Sequence, residues 1–456
     1  MKLLKCNTTI PSFKVKKVPS PNLLRDIFPF NEVPRLPFDL LAPPIDIPDE
    51  LFITDTTFRD GMQAREPYTP RQILTLYEYL HKLSGKNGVV RWTEFFLYTK
   101  RDREIVRELL ELEYEYPRIT GWIRASLNDL KLVKSIKLEE TGILMSISDY
   151  HIFFKLGLSR DTAISKYLEV AEEALKNGII PRCHLEDVTR ADIYGCVLPL
   201  VNKLMKLSEK YGVPVKFRLC DTLGLGVPFP YVSLPRSIPK LIYTIRYHCD
   251  IPSSWLEFHG HNDFCMAVPN SLASWFYGVS AVNCTLLGIG ERCGNTPLEV
   301  MLLYYVQLTG DKSIDLRLIS EITDYYRNVI KYKVPQSQPL VGERVFSTAA
   351  GIHADGLMKN KEVYLPFNVE MILGRQPRVF INDRSGRAGV AMWINTFFNL
   401  KGSERVTKDD PGVNKIYNEI MRAYAQGRRT IFSDEEMLAL VKKFLPRVWK
   451  NANFHR

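Results

Sequence analysis

The chain has 456 residues, of which 45% are hydrophobic and 25% are charged, an ordinary balance for a globular protein. Its net charge of +10 permits anionic partners, but its Lys and Arg residues form no long run and no RNA-binding or zinc-finger signature occurs. No signal peptide is recognisable, no stretch reaches the roughly 18 apolar residues of a membrane span, and the eight cysteines contain no Cys-x-x-Cys pair. We therefore expect a cytoplasmic protein with reduced cysteines and neither a nucleic-acid nor a membrane partner.

Residues 1–50 are rich in proline. Proline removes a backbone donor and fixes one dihedral angle, so it excludes long helices and central strands. We predict an irregular N-terminal arm that wraps the surface of the domain that follows.

Strand and helix signals alternate from residue 51 onward. A buried strand is predicted at 51–54, and a helix begins after Thr69 as its N-cap, with Pro70 as its first residue and Gly85 at its end. Further strands are predicted at 89–96, 119–125, 142–148, 180–185, 215–220, 255–259 and 281–287. Amphipathic helices lie between them, such as those predicted at 102–112, 160–177 and 194–210.

Eight strand–helix units over about 250 residues predict an α/β fold, a closed (β/α)8 TIM barrel, over residues 51–310. An open, doubly wound sheet is the alternative, but no Gly-x-Gly-x-x-Gly follows the first strand. The alternation stops after residue 310, where helices are predicted at 320–333, 413–426 and 433–444. We predict a mainly helical C-terminal region over residues 311–456.

Polar residues follow every predicted strand, at the end where TIM barrels carry their active sites. In strand order they include Arg59, Asp60 and Gln63, then Glu94, Arg124, Ser148 with His151, Glu186, Thr222, His259 with His261, and Asn295. A solvated loop charge is the alternative for any one of them. Their presence at all eight strand ends favours an active site.

His259 and His261 are the most informative pair. Residues two apart on a strand point to the same face, so both imidazoles face one way at the end of the seventh strand. Two nitrogens on one side of a rigid element are half of a metal site, and a carboxylate from another strand end is the simplest third ligand. A pair of hydrogen-bonded surface histidines is the alternative for so short a motif.

Several motifs carry a resemblance to a known family. Asp55-Thr-Thr-Phe-Arg-Asp-Gly-Met-Gln63 resembles the Asp-Thr-Thr-Leu-Arg-Asp-Gly-Glu-Gln signature of the DRE-TIM metallolyases. His259-Gly-His-Asn-Asp263, Gly288-Ile-Gly-Glu-Arg-Cys-Gly-Asn295 and Gly351-Ile-His-Ala-Asp-Gly356 match its Claisen-condensing branch, which comprises isopropylmalate, homocitrate, citramalate and Re-type citrate synthases. Met62 departs from the usual glutamate.

The resemblance implies a divalent metal ion bound by Asp60, His259 and His261, with Asn295 as a candidate fourth ligand. Nitrogen and oxygen donors without a thiolate favour Mn²⁺, with Mg²⁺, Co²⁺ and Zn²⁺ as alternatives. The ion would chelate a 2-oxo acid and polarise its keto group.

The resemblance also implies a catalytic set of Arg59, Glu94, Glu186 and His353. Arg59 would stabilise a developing alkoxide, and an ion pair with Glu94 or Glu186 is an alternative that is compatible with this role. Glu186 would take part in proton movements near the acyl donor. His353, which the family often supplies from the neighbouring subunit, would act as an acid–base group on the acetyl methyl. We therefore expect a homodimer or larger homo-oligomer with a shared active site.

Gln63, Arg124 and Thr222 are the predicted substrate-binding residues. Thr222 resembles the threonine that contacts the carboxylate of the 2-oxo acid. An arginine in the pocket is costly to bury unpaired, and a carboxylate satisfies it, so Arg124 favours a dicarboxylic substrate. An ion pair with a neighbour such as Asp149 is the alternative.

The predicted reaction condenses acetyl-CoA with oxaloacetate to give citrate. Homocitrate formation from 2-oxoglutarate is the first alternative, followed by isopropylmalate or citramalate synthesis. The reverse reaction, of the hydroxymethylglutaryl-CoA lyase type, and a non-enzymatic basic scaffold are further alternatives.

Overall fold

The computed structural model describes residues 31–32, 45–232 and 234–451. Most of the predicted N-terminal arm, at residues 1–30 and 33–44, lies outside the described residues. None of the helices in the described part of the chain is long and apolar enough to cross a membrane.

Eight parallel strands close into a barrel in their chain order, which confirms the predicted TIM barrel. They are Phe52–Asp55 (β1), Val90–Phe96 (β2), Arg118–Arg124 (β3), Glu140–Ser146 (β4), Ile180–Glu186 (β5), Lys216–Asp221 (β6), Leu256–Gly260 (β7) and Ala281–Cys284 (β8). Most boundaries lie within two residues of the prediction. Strand β8 ends three residues before the predicted 287, because Leu286–Gly288 forms a 3₁₀ turn.

Helices flank the barrel strands. They are Asp60–Gln63 (α1), Pro70–Ser84 (α2), Lys100–Leu110 (α3), Leu127–Ile136 (α4), Arg160–Lys176 (α5), Leu198–Tyr211 (α6), Ile238–Cys249 (α7), Ala267–Phe276 (α8) and Leu298–Thr309 (α9). The predicted start of α2 is confirmed, because the Thr69 hydroxyl accepts from the backbone of Gln72 and the Gln72 side chain accepts from the backbone of Thr69. Gly85 follows its last residue with a φ of 58°, which a glycine adopts without strain.

The C-terminal region is mainly helical, as predicted. Its elements are Leu318–Asn328 (α10), Ser347–Thr348 (β9), Gly351–Lys359 (α11), Val369–Leu373 (α12), Arg378–Val379 (β10), Gly386–Phe397 (α13), Pro411–Ala425 (α14), Asp434–Phe444 (α15) and Pro446–Asn451 (α16). Strands β9 and β10 pair in parallel. Helix α10 packs on the barrel, where the Tyr326 and Tyr68 hydroxyls lie 2.7 Å apart.

Two π-helical turns, at Tyr150–Lys155 and Ile193–Val197, follow β4 and β5. The sequence did not predict them, since an apolar pattern with a period of 3.6 residues does not distinguish a wider turn. Both lie at the end of the barrel where the strands finish. Such turns occur frequently at functional sites.

The barrel interior contains a buried charge ladder, by which we mean Glu94, Arg218, Glu257, Arg182 and Glu140. Nη1 of Arg218 lies 2.9 Å from Oε1 of Glu94, and its Nη2 lies 3.0 Å from Oε1 of Glu257. Nη1 of Arg182 lies 2.6 Å from Oε2 of Glu257, and Arg182 also pairs with Glu140. Each charge therefore has an opposite charge as its neighbour, which offsets the cost of removing it from water.

Candidate active site

The strand ends bring most of the predicted site residues to one mouth of the barrel. In-register pairing joins Glu186 to Cys220 and Cys220 to His259, so Glu186 on β5 and His259 on β7 occupy the same interior layer. Asp60 enters the mouth from α1, directly after β1.

Asp60, His259 and His261 form a buried group whose ligand atoms all lie within 4.8 Å of one another. Oδ2 of Asp60 is 3.4 Å from Nε2 of His259 and 3.7 Å from Nε2 of His261. The two imidazole Nε2 atoms are 3.2 Å apart. One carboxylate and two imidazole nitrogens thus converge on one point, as the sequence predicted.

The protonation states of these three side chains are suited to binding a metal ion. Burial lowers the pKa of both imidazoles below their ordinary value, so they are neutral and present lone pairs. Burial alone would raise the pKa of Asp60, but the Arg59 guanidinium and the two imidazoles hold it below its usual range. The group therefore offers an ionised carboxylate and two neutral nitrogens.

A partner on strand β8 orients the first imidazole. Nδ1 of His259 lies 2.7 Å from Oδ1 of Asn283 and donates to it, which leaves Nε2 free to bind a cation. The Asn283 amide in turn donates to the Thr54 hydroxyl at 2.9 Å. Sequence reasoning did not find Asn283, because the strand pattern does not fix the register that sets Asn283 on β8 opposite His259 on β7.

Asn295 adjoins the imidazole pair, since His261 and Asn295 form an isolated antiparallel β-bridge. Its side-chain oxygen and nitrogen are buried and have no hydrogen-bond partner among the described residues. A Cβ on Gly290 would lie 1.5 Å from Oδ1 of Asn295, so only glycine fits at that position. A buried amide without a partner is costly, and a cation beside it would satisfy its oxygen.

Arg59 is fixed by two carboxylates. Its Nε donates to Oε2 of Glu94 at 2.6 Å, and its Nη1 donates to Oδ2 of Asp60 at 3.0 Å. Arg218, from the buried charge ladder, holds the other side of Glu94. Burial would raise the pKa of Glu94, but Arg218 and Arg59 lower it to about 2, so the carboxylate stays ionised. Of the two carboxylates named as alternative ion-pair partners of Arg59, it is Glu94 that pairs with it.

Three groups lie beside the Glu186 carboxylate. Its Oε2 lies 3.0 Å from Nδ1 of His151, and both carboxylate oxygens lie 2.8 Å from Nζ of Lys155. The Ser146 hydroxyl donates to it as well. Burial opposes ionisation, but His151 and Lys155 lower the pKa of Glu186 to about 2. The sequence pointed to Glu186 and His151, whereas Lys155 was missed because its position in a π-helical turn is not apparent from spacing.

Arg124 ends strand β3, as predicted, but its guanidinium pairs with Asp129 at the start of α4. Its Nε is 2.9 Å from Oδ2 of Asp129 and its Nη2 is 3.1 Å from Oδ1. The side chain is 67% exposed at the rim of the barrel. Asp149, the neighbour named as its alternative partner, instead binds Arg160.

The other predicted substrate-binding residues lie at the same mouth. The Thr222 hydroxyl accepts from the backbone amide of Asp187 at 2.8 Å, which leaves its own proton available as a donor. Gln63 ends helix α1 and is exposed.

His353 is exposed on helix α11, in the C-terminal region. Its ring lies 4.4 Å from that of Tyr364. Within the described part of the chain, no hydrogen bond, ion pair or ring contact connects His353 to the barrel. The structure therefore brings ten of the eleven predicted site residues to one mouth, but not His353.

Comparisons with known proteins agree with this geometry. The sequence matches the HMGL-like family over residues 50–325. It is 48% identical over 437 residues to a citrate (Re)-synthase of Clostridium kluyveri, and the match covers 96% of each chain. It is 36% identical to a 2-phosphinomethylmalate synthase of Streptomyces hygroscopicus, over 94% of this chain and 98% of the relative. A solved hydroxymethylglutaryl-CoA lyase from Pseudomonas aeruginosa shares the fold with a TM-score of 0.50 at 15% identity, covering 63% of this chain and 95% of the lyase.

Proposed function

The chain belongs to the HMGL-like family, and from this premise we propose that it is a citrate (Re)-synthase, which condenses acetyl-CoA with oxaloacetate. The observation that carries the proposal is the 48% identity to a protein of that name over 96% of both chains. A relative from Syntrophus aciditrophicus with the same name is 49% identical, and the match covers 96% of this chain and 70% of the relative. The 2-phosphinomethylmalate synthase is a third synthase at high coverage.

Asp60, His259 and His261 would hold the divalent metal ion, with Asn295 as a further ligand through its orphaned side-chain oxygen. Mn²⁺ suits this set of nitrogen and oxygen donors. The bound ion would supply Lewis-acid polarisation of the keto group of the 2-oxo acid.

Arg59 would stabilise the alkoxide that forms when the keto carbon is attacked. Its guanidinium is held on both sides, by Glu94 and by Asp60, so it is oriented before the substrate arrives. Preorganised charge of this kind stabilises a transition state without a reorganisation cost during the reaction. Glu94 thus orients Arg59, and its ionisation excludes it as a proton donor near neutral pH.

Glu186 and His353 would transfer the protons of the acetyl methyl. Thr222 and Gln63 would bind the carboxylate of the 2-oxo acid. Glu186 lies at the mouth of the same barrel as the metal-binding group. His353 would reach the mouth of the partner subunit's barrel, because in its own subunit it contacts the C-terminal region. We therefore propose a homodimer with a shared active site.

The shared site makes a prediction for mixed oligomers. His353→Ala and Asp60→Ala are each expected to be inactive, because one lacks the acid–base group and the other a metal ligand. After subunit exchange, mixed dimers should regain partial activity, since one of their two sites has both native residues. The measurement is citrate formation before and after exchange, with exchange verified by differently tagged subunits. Complete exchange without recovery would contradict the contribution in trans.

The proposed reaction is tested by assaying the Mn²⁺-loaded protein with acetyl-CoA and oxaloacetate, 2-oxoglutarate, pyruvate or 2-oxoisovalerate, measuring thiol release and product. Oxaloacetate is expected to be the preferred acceptor.

The stereochemistry is tested with labelled acetyl-CoA. Citrate made from it should retain its label in oxaloacetate after cleavage by a lyase specific for the pro-S arm. Label recovered in acetate would contradict the Re assignment, and preference for another acid would contradict the substrate.

A further inference from the structure

We propose that Lys155 is the residue that receives the second carboxylate of the dicarboxylic 2-oxo acid, and that it leaves Glu186 to do so. The inference rests on the proposed function, because it takes the substrate to be a dicarboxylic acid. It assigns to Lys155 the role that the sequence assigned to Arg124.

The position of Lys155 is set by the π-helical turn Tyr150–Lys155. That turn follows β4 and carries Lys155 over the end of β5, where Nζ lies 2.8 Å from both oxygens of Glu186. The Lys155 side chain is 43% exposed, whereas that of Glu186 is 16% exposed. An ammonium group has three donors, so Lys155 can donate to the carboxylate of a ligand that enters the mouth once it releases Glu186.

Three arginines at this mouth, Arg124, Arg190 and Arg292, each already have a structural carboxylate. Arg124 is held by Asp129 through two hydrogen bonds. Arg190 pairs with Asp187. Arg292 pairs with Asp263 and also donates to the backbone carbonyl of Thr222. Each of these carboxylates belongs to the scaffold of a loop or helix. Lys155, in contrast, pairs with Glu186, which is itself a proposed participant in the reaction.

The charges at the mouth require such a cation. The metal-binding group and Arg59 would receive the 2-oxo acid end of the substrate, which leaves the second carboxylate to be neutralised elsewhere. His259 and Glu186 lie two strands apart in one layer, or about 10 Å between backbones. A four-carbon acid bound at His259 with its far end toward β5 would bring its second carboxylate to Lys155. Without the lysine, that end would face the Glu186 carboxylate, and like charges repel.

Movement of the Lys155 ammonium group from Glu186 to the substrate would also raise the pKa of Glu186. The lysine is one of the groups that hold the pKa of Glu186 low, and such a carboxylate is a weak proton acceptor. When Lys155 moves to the substrate, the basicity of Glu186 increases. Substrate binding would therefore prepare Glu186 to accept a proton from the acetyl methyl, after the dicarboxylic acid has entered.

The test is binding of malate and of lactate to the Mn²⁺-loaded protein without acetyl-CoA, by calorimetry. Both ligands chelate through a 2-hydroxy carboxylate, but lactate lacks the second carboxylate. Lys155→Met is expected to weaken malate binding roughly tenfold to hundredfold, the scale of a lost charged hydrogen bond, and to leave lactate binding unchanged. Lys155→Arg should retain most of the malate affinity, and KM for oxaloacetate should rise in Lys155→Met by more than kcat falls.

Two variants serve as comparisons. Lys166→Met removes an exposed lysine from α5 and should change neither affinity. Arg124→Leu should affect malate less than Lys155→Met does. Equal weakening of malate and lactate in Lys155→Met, unchanged malate affinity, or a selective loss in Arg124→Leu instead would each overturn the proposal. Failure of the proposed function is seen separately, in the wild-type protein, as turnover of a monocarboxylic 2-oxo acid in preference to oxaloacetate.

Discussion

Replacing His259 with alanine is expected to abolish stoichiometric metal binding and activity together. The substitution removes one of three atoms that converge within 4.8 Å. It also leaves Asn283 without the ring nitrogen that it orients. Loss of a direct ligand should exceed the roughly 10- to 100-fold cost of losing an outer partner. Asp60→Asn is expected to behave similarly, because the amide lacks the charge that offsets the cation.

The measurement is metal content by mass spectrometry after dialysis, together with citrate formation. Asn283→Ala provides a graded comparison, and its metal affinity should fall roughly 10- to 100-fold. His248→Ala is the matched control, because it removes an exposed histidine on the outer helix α7. Full metal content in both His259→Ala and Asp60→Asn would rule out the proposed site.

Replacing Arg218 with methionine is expected to destabilise the protein by roughly 3–5 kcal/mol, the cost of breaking a buried ion pair by removing one partner. Arg218 is 1% exposed and contacts both Glu94 and Glu257. Without it, two carboxylates in the barrel interior lose their shared cation. Methionine fills much of the same volume, so the loss of stability measures the removal of the charge and not the creation of a cavity.

Urea unfolding at neutral pH measures this loss. Lys210→Met is the matched control, because it breaks an exposed ion pair with Glu172 on the barrel surface and should leave the midpoint unchanged. Arg218→Met should also lower activity in the folded fraction, since Glu94 would no longer be held against Arg59. A midpoint equal to that of the control would show that the ladder does not stabilise the barrel.

The amino-acid sequence was sufficient to predict the barrel and the grouping of Asp60, His259 and His261. Alternating strand and helix signals determine a parallel sheet, and in a closed parallel sheet all carboxyl ends meet at one mouth. Residues far apart in the chain, such as Asp60 and His259, could therefore be placed together from order alone. The spacing of His259 and His261 fixed their shared face, because side chains alternate along a strand.

The pairing of polar side chains became apparent only in the folded structure. Side-chain partners depend on rotamers, on the register between strands and on the path of each loop, none of which leaves a periodic signal in the chain. Arg124 bends to Asp129 instead of entering the pocket, and Lys155 reaches Glu186 because a π-helical turn carries it there. The buried charge ladder arises in the same way, since Arg218 faces Glu94 and Glu257 only when the barrel has closed. His353 matches a family motif, but it lies on helix α11 in the C-terminal region, where its ring contacts Tyr364.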